Sequence, residues 1–192
     1  MSKYIDEQED VQFSEPILAQ KDVKCKIVFA EHTSWKNKTD EKDYDACKLT
    51  LQIIDESVKT EHADAKPRIT LEDQFNIVQY PYLDKKTGAI KKLGRQKLYQ
   101  IEGAFGFDPI FKVNGEVVPP FITRSGNKAA PKVDGVKRNI NSDFFNAYFD
   151  SEGRPVIDNW IDKVIYTDIE LETSEQFGSR NTISRYVKAP QI

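Results

Sequence analysis

The residues of this chain best equipped for chemistry are aromatic rings set beside cations. Trp35 is followed by Lys36 and Lys38, and Tyr80 and Tyr82 by Lys85 and Lys86. Lys91, Lys92, Arg95 and Lys97 come next, and the run holding Arg124, Lys128, Lys132, Lys137 and Arg138 adds five more cations. Ring faces stack on bases while cations track phosphates, and each stacked base contributes roughly 1–3 kcal/mol to holding a single strand. For any one residue a plainer role competes: a ring that caps the core, or a lysine that keeps the surface wet. Only their co-occurrence on a few elements brings the binding reading level with the plain one.

Catalytic constellations are scarce. The sequence has no Gly-x-Ser-x-Gly, no Walker glycine loop, no Gly-x-Gly-x-x-Gly and no His-Glu-x-x-His. Both histidines, His32 and His62, fall in polar runs. Cys25 and Cys47 have no Cys-x2-Cys or His-x3-His pair to converge with them on a metal. They read as small buried thiols in a reducing compartment, not as a disulfide. Asp40, Glu41, Asp43 and Asp45 crowd one loop and could hold a divalent cation, but carboxylates on such a loop are ordinarily just solvated. No enzyme activity, metal or cofactor is expected.

The 192 residues, 39% hydrophobic, suffice for one core of ordinary domain size. No window reaches the roughly 18–20 apolar residues of a membrane span. The start, Met1 to Asp10, lacks the basic and apolar regions of a signal peptide, so a cytoplasmic location and no membrane partner are expected. The net charge of −3 conceals a segregation. Residues 85–138 hold 12 basic and 4 acidic side chains, residues 1–84 hold 11 and 18, and residues 139–192 hold 5 and 9. A basic middle between acidic flanks suggests a face for a polyanion, unless folding interleaves the segments and averages the field.

The elements that must position these residues are mostly strands. Residues 1–16 are acidic and aperiodic, and read as a loose arm before one domain over 17–192. Val23, Cys25, Ile27 and Phe29 alternate as a first strand, and Glu31–Asp45 reads as a long polar loop carrying Trp35. Leu49, Leu51 and Ile53 mark a second strand, followed by a loop over Asp55–Lys66. Ile69–Gln79 is a third, with a register shift near Asp73-Gln74 that predicts a bulge. After a turn at Asp84–Gly88, Leu93, Lys97, Leu98, Ile101, Ala104 and Phe105 predict a helix over Lys92–Phe105, capped by Gly103 or Gly106. Residues 108–158 read as an insertion. It holds an Asn114-Gly115 hairpin, a flexible loop over Thr123–Lys137, and a stretch, Asp143–Tyr148, that suits a short helix or an aromatic strand. Trp160–Leu171 and Asn181–Val187 are the last two strands, with Ser174–Arg180 as their turn. The fold class is therefore mainly β with one central helix, in the order of a five-stranded Greek-key barrel with an insertion after the helix. An immunoglobulin-like sandwich, which wants about seven strands and no helix, or another small barrel are the alternatives.

The strand Val23–Glu31, the run Lys48-Leu49-Thr50-Leu51-Gln52-Ile53-Ile54, the Leu93 to Gly106 helix pattern and the ending Arg180-Asn181-Thr182-Ile183-Ser184-Arg185-Tyr186 resemble phage single-stranded DNA-binding proteins of the oligonucleotide-binding (OB) fold. The motifs are patterns of residue type, and they follow the family's element order through most of the chain. The resemblance implies an OB barrel that binds single-stranded DNA without strong sequence preference, serving phage replication or recombination in the infected cell's cytoplasm. Trp35, Tyr80 and Tyr82 would stack, and Lys36, Lys38, Lys85, Lys86, Lys91, Lys92, Arg95, Lys128, Lys132, Lys137 and Arg138 would meet phosphates. RNA in place of DNA, partner proteins of replication or recombination, and a homo-oligomer stay open. The basic insertion departs from a minimal member. So does the ending Lys188-Ala189-Pro190-Gln191-Ile192, which lacks the acidic partner-recruiting tail of many single-strand binders. Two rivals stand beside this function: an interaction module that inhibits a host enzyme by mimicking nucleic acid with its acidic flanks, and a structural component of a virion.

Overall fold

A computed structural model describes residues 14–176 and 178–190. The acidic residues 1–13, which make up most of the expected arm, lie outside the described residues. The end of that arm pairs with the chain at Lys66–Pro67. Ser14–Glu15 (β1) ends beside Pro16 and Ile17, and the Ile17 side chain is fully buried.

Gln20–Lys36 (β2) and Asp43–Ile53 (β3) form a hairpin far longer than the alternation of apolar residues suggests. The expected loop Glu31–Asp45 is mostly strand: His32 faces Cys47, Thr33 faces Ala46, Trp35 faces Tyr44, and Lys36 faces Asp43. Its residues are polar because this half of the hairpin leaves the core and is wetted on its open side. In the core half, Val23, Cys25 and Ile27 point inward, with Cys25 opposite Ile53 and Ile27 opposite Leu51. The register slips between Ile27 and Phe29, so Ala30 turns in and Phe29 turns out to solvent. The bulge thus lies in β2, where an unbroken alternation was expected.

Lys66–Pro67 (β4) pairs with β1, and Thr70–Asn76 (β5) pairs with β3 in one unbroken register from Gln52↔Thr70 to Ala46↔Asn76. The bulge expected near Asp73-Gln74 is absent. Asp73 lies on the same face as buried Leu71 and Phe75, and a polar residue on the core face imitated a shift of register. Tyr80–Leu83 (β6) and Ile90–Leu93 (β7) then make a second hairpin closed by the Asp84–Ala89 turn. Leu93 and Lys92, read as the start of the helix, are therefore strand residues. The helix itself is Gln96–Ala104 (α1), beginning after Gly94.

In the expected insertion, Ile110–Val113 (β8) and Glu116–Val118 (β9) form the hairpin at Asn114-Gly115. Phe121–Ile122 (β10) and Lys128–Ala129 (β11) form a small second one, and Lys137–Asn139 (β12) pairs with β8. The run Thr123–Lys137 is thus not one structureless loop. Ser142–Tyr148 (α2) is a helix, with Asn141 Oδ1 accepting from the Asp143 and Phe144 amides as its N-cap. Ile157–Trp160 (α3) corrects the strand expected from Trp160, which begins only at Val164. Trp160 is fully buried, surrounded by Phe75, Phe105, Phe144, Tyr148 and Phe149, and its Nε1 donates to the Tyr148 carbonyl at 2.8 Å.

Val164–Ser174 (β13) and Gly178–Val187 (β14) complete one five-stranded antiparallel sheet ordered β14-β13-β2-β3-β5. Ile165, Thr167 and Ile169 form the buried face of β13. The sheet is mainly antiparallel meander around a single apolar core, and it is not closed: β14 and β5 share no ladder. Their Cα atoms nonetheless come within 8 Å of each other. Between them lies a cleft of about 360 Å³, lined by Arg68, Thr70 and Glu72 on one side and Arg180, Asn181 and Thr182 on the other. Helix α1 packs against both edge strands, and Gln100 Oε1 accepts the Tyr186 amide at 3.1 Å, satisfying a donor on the β14 edge. No helix among the described residues is long and apolar enough to cross a membrane.

Candidate nucleic-acid interface

The outer half of the β2–β3 hairpin and the base of the β6–β7 hairpin meet through rings. Trp35 sits edge-on to Tyr80 with centroids 4.7 Å apart and tilted against Tyr44 at 5.9 Å, and Tyr44 and Tyr80 are 6.0 Å apart. Edge-to-face rings at these separations attract beyond their buried area. Polar bonds fix the trio: Trp35 Nε1 donates to Asn76 Oδ1, and buried Asn37 Nδ2 donates to the Pro81 carbonyl at 2.9 Å. Tyr44 Oη donates to Asp40 Oδ2 at 2.6 Å, which lowers the Asp40 pKa and raises that of Tyr44. Gly94 is required here. Its φ is +120°, and a Cβ would stand 2.8 Å from the Tyr80 ring and 2.9 Å from the Val78 carbonyl. Trp35 and Tyr80 are half-buried, whereas Tyr82, two residues along the same face of β6, is 43% exposed.

Lys36 and Lys38 follow Trp35 directly, Lys85 and Lys86 lie in the distal turn of the β6–β7 hairpin, and Lys92, opposite Pro81, is on the other face of that hairpin from Tyr80 and Tyr82. All five are exposed and without an ion-pair partner among the described residues. Lys91 faces Tyr82 across the ladder but is paired with Asp84. Arg95 and Lys97 are occupied by the fold: Arg95 Nε donates to the Ile77 carbonyl at 3.1 Å, and Lys97 pairs with Asp73. Both side chains are thus engaged within the fold.

The second group of cations is built differently. Arg138 stacks over the Tyr99 ring at 4.2 Å and bonds to fully buried Glu102 at 3.1 Å. Burial pushes the Glu102 carboxyl above its ordinary pKa, partly opposed by the Asn141 amide and by Arg138. Arg138 is thus the clamp between α1 and β12. Lys128 pairs with Asp108, and Lys132 lies 5.7 Å from the Phe121 ring. Arg124, Lys132 and Lys137 stand exposed without an ion-pair partner among the described residues. The structure therefore gathers Trp35, Lys36, Lys38, Tyr80, Tyr82, Lys85, Lys86, Lys91 and Lys92 on two joined hairpins. It assigns Lys128, Lys132 and Arg138 to neighbours around α1, β8 and β10.

Tyr44, Asn37, Gly94 and Glu102 were not singled out in the sequence. The signal for Tyr44 was its place opposite Trp35, visible only once the hairpin is known to extend that far. The acidic run is divided as well: Asp40 serves Tyr44, and Asp45 meets His32 at 2.9 Å. Cys25 and Cys47 are buried and unpaired, and burial raises their pKa to about 11 and about 12, so both stay protonated and unreactive at neutral pH. Compared with family models, curated proteins and solved structures, the chain matches none.

Proposed function

We propose that this chain is a single-stranded DNA-binding protein of the OB type, acting in phage DNA replication or recombination without strong sequence preference. The observation that carries the reading is the joint at which Trp35 meets Tyr80 at 4.7 Å, with Tyr82 exposed beside it and, on both hairpins, lysines without an ion-pair partner among the described residues. Bases would stack on Tyr82 and on the open parts of Trp35 and Tyr80. Lys36, Lys38, Lys85, Lys86 and Lys92 would displace counterions from the phosphates.

The architecture supports it. Joining β14 to β5 would close the sheet in the strand order of an OB barrel, with α1 between its third and fourth strands. The hairpin between the first two strands of such a barrel borders its oligonucleotide groove, and here that hairpin is β2–β3, which carries Trp35. Titration of a fluorescent oligonucleotide, single- and double-stranded, at two ionic strengths tests the reading. Single strands bound in preference to duplex, with affinity falling steeply as salt rises, are expected. Affinity independent of salt, or no binding, overturns it. An oligoribonucleotide competitor decides between DNA and RNA.

A further inference from the structure

The β6–β7 hairpin has a tip that its base does not explain. Leu83 and Ile90 face each other across the ladder as its last pair, and they are 46% and 70% exposed. Beyond them the turn is well made. The Asp84 amide donates to the Ala89 carbonyl at 3.0 Å, the Gly88 amide to the Asp84 carbonyl at 2.7 Å, and the Lys86 amide to Asp84 Oδ1 at 2.9 Å. The base is held by the Trp35–Tyr80 contact and the Asn37 bond to Pro81. This finger therefore carries two aliphatic side chains into solvent, with Lys92 on their face, Lys85 and Lys86 in the turn beyond them, and Lys91 on the opposite face beside Tyr82, paired with Asp84, the single acid of the hairpin.

An aliphatic pair on a cationic finger suits one feature of nucleic acid: a base step opened by an apolar wedge while the flanking phosphates are held. A uniform single strand has no step to open, and an intact duplex resists opening. The place where both demands are least is the junction between duplex and single strand. Resting on the single-strand reading above, we propose that this hairpin is a wedge that binds duplex–single-strand junctions, with Leu83 and Ile90 against the terminal base pair and Lys85, Lys86 and Lys92 on its phosphates. The single strand leaving the junction would then pass around the hairpin to its other face, which carries Tyr82 and, nearer the base, the Trp35–Tyr80 joint.

The test uses the full chain and three probes: an oligothymidine, a blunt duplex, and a forked duplex of the same sequence with 2-aminopurine at the terminal pair. Wild-type protein is expected to bind the fork about tenfold more tightly than either other probe, the scale of removing two aliphatic side chains partly from water. The 2-aminopurine fluorescence should rise as the terminal pair unstacks. Leu83→Thr/Ile90→Thr, which keeps strand propensity on an exposed ladder pair, should lose both the preference and the fluorescence rise while binding oligothymidine as before. The wild-type fluorescence stands on its own should the variant misfold. A fork bound no better than oligothymidine, an unchanged fluorescence, or a preference that survives in the variant overturns the wedge and leaves single-strand binding intact. Failure to bind oligothymidine at all overturns the parent reading instead. Leu83- and Ile90-dependent binding to phosphatidylserine-containing vesicles without a fork preference would assign the tip to a membrane surface and also overturn the wedge.

Discussion

The Tyr186 hydroxyl donates to Asp73 Oδ2 at 2.8 Å and so joins β14 to β5, the two edge strands that exchange no ladder bonds. Lys97 from α1 pairs with the other oxygen of the same carboxylate. One aspartate thus ties both edges and the helix together where the sheet stops short of closing. Tyr186 is buried, so its hydroxyl has no water to fall back on. Tyr186→Phe should cost about 1 kcal/mol, the net worth of one hydrogen bond. Asp73→Ala should cost about 2–3 kcal/mol, because it orphans a buried hydroxyl and removes the partner of Lys97. Chemical denaturation checks both. Two variants as stable as wild type would mean that the bridge adds nothing to holding the edges together.

Rings in this protein divide into those that make the core and those that face solvent, and substitution should separate them. Trp160→Ala removes a fully buried indole and should cost about 3–5 kcal/mol of stability. Tyr82→Ala removes an exposed ring and should change stability by no more than about 0.5 kcal/mol, while weakening single-strand binding by about 1–3 kcal/mol. Trp35→Ala should do some of each, since the ring both packs on Tyr80 and is half open. Thermal melts beside oligonucleotide titrations give the two readouts. Unchanged affinity in Tyr82→Ala would remove the stacking platform from the mechanism.

What the sequence made legible was periodicity under burial. Leu49, Leu51 and Ile53, or Ile165, Thr167 and Ile169, each fill one face of a strand, and period two announces them. The outer half of the β2–β3 hairpin was illegible for the same reason, since the wetted run from Glu31 to Asp45 has no apolar face to reveal its period. Leu93 failed in a different way. It stands in helical phase with Lys97 and Ile101, but Gly94 breaks the chain there and the ladder from Tyr80 to Leu93 claims it for a strand. Asp73 is the third case: an inward carboxylate looks like a slipped register until Lys97 and Tyr186, distant in sequence, are seen to meet it. For the candidate site, ring and cation types were readable, but which cations are occupied by the fold was not. The partners of Arg95 and Arg138 are a carbonyl and a buried glutamate that no spacing indicates.

That division of cations has its own consequence. Lys85→Ala/Lys86→Ala/Lys92→Ala removes three charges without an ion-pair partner among the described residues. It should lower the slope of log affinity against log salt by about 2, at about 0.7 for each single-strand phosphate left without its lysine. Arg138→Ala should leave that slope nearly unchanged and reduce stability, because it leaves Glu102 buried and unpaired. Salt titrations of the two variants decide. Equal slopes would show that the joined hairpins are not the surface that meets the phosphates.

His62 Nδ1 meets Glu15 Oε1 at 2.8 Å and so pins the β1 segment to the loop after β3. This contact raises the His62 pKa above its ordinary 6.5. A histidine whose pKa is higher folded than unfolded contributes all its stabilisation below the unfolded value and loses it as pH climbs through the folded one. The pin should therefore be firm below pH 6.5 and weaken above it, with an effect kept small by solvent. The readout is the exchange protection of the Arg68 amide, which donates to the Glu15 carbonyl at 2.6 Å. Protection that falls with rising pH in wild type and is flat in Glu15→Gln is expected. The same fall in both proteins would assign it to another group.

Gly94 offers the sharpest test of how the ring joint is built. Its φ of +120° lies where L side chains are strained, and the two atoms nearest an added Cβ are of different kinds. The Tyr80 ring at 2.8 Å belongs to a side chain that could swing away, but the Val78 carbonyl at 2.9 Å is backbone and cannot yield without moving the segment between β5 and β6. Gly94→Ala should therefore cost about 1–3 kcal/mol from backbone strain alone. It should also displace Tyr80 from Trp35 and weaken single-strand binding by more than the loss of stability accounts for. Tyr80→Ala on the Gly94→Ala background relieves the ring clash but not the carbonyl clash, so it should recover little of the stability. Full recovery would show that the ring, and not the backbone, sets the demand for glycine. A Gly94→Ala protein with wild-type melting and wild-type affinity would show that neither the hairpin base nor the position of Tyr80 depends on this residue.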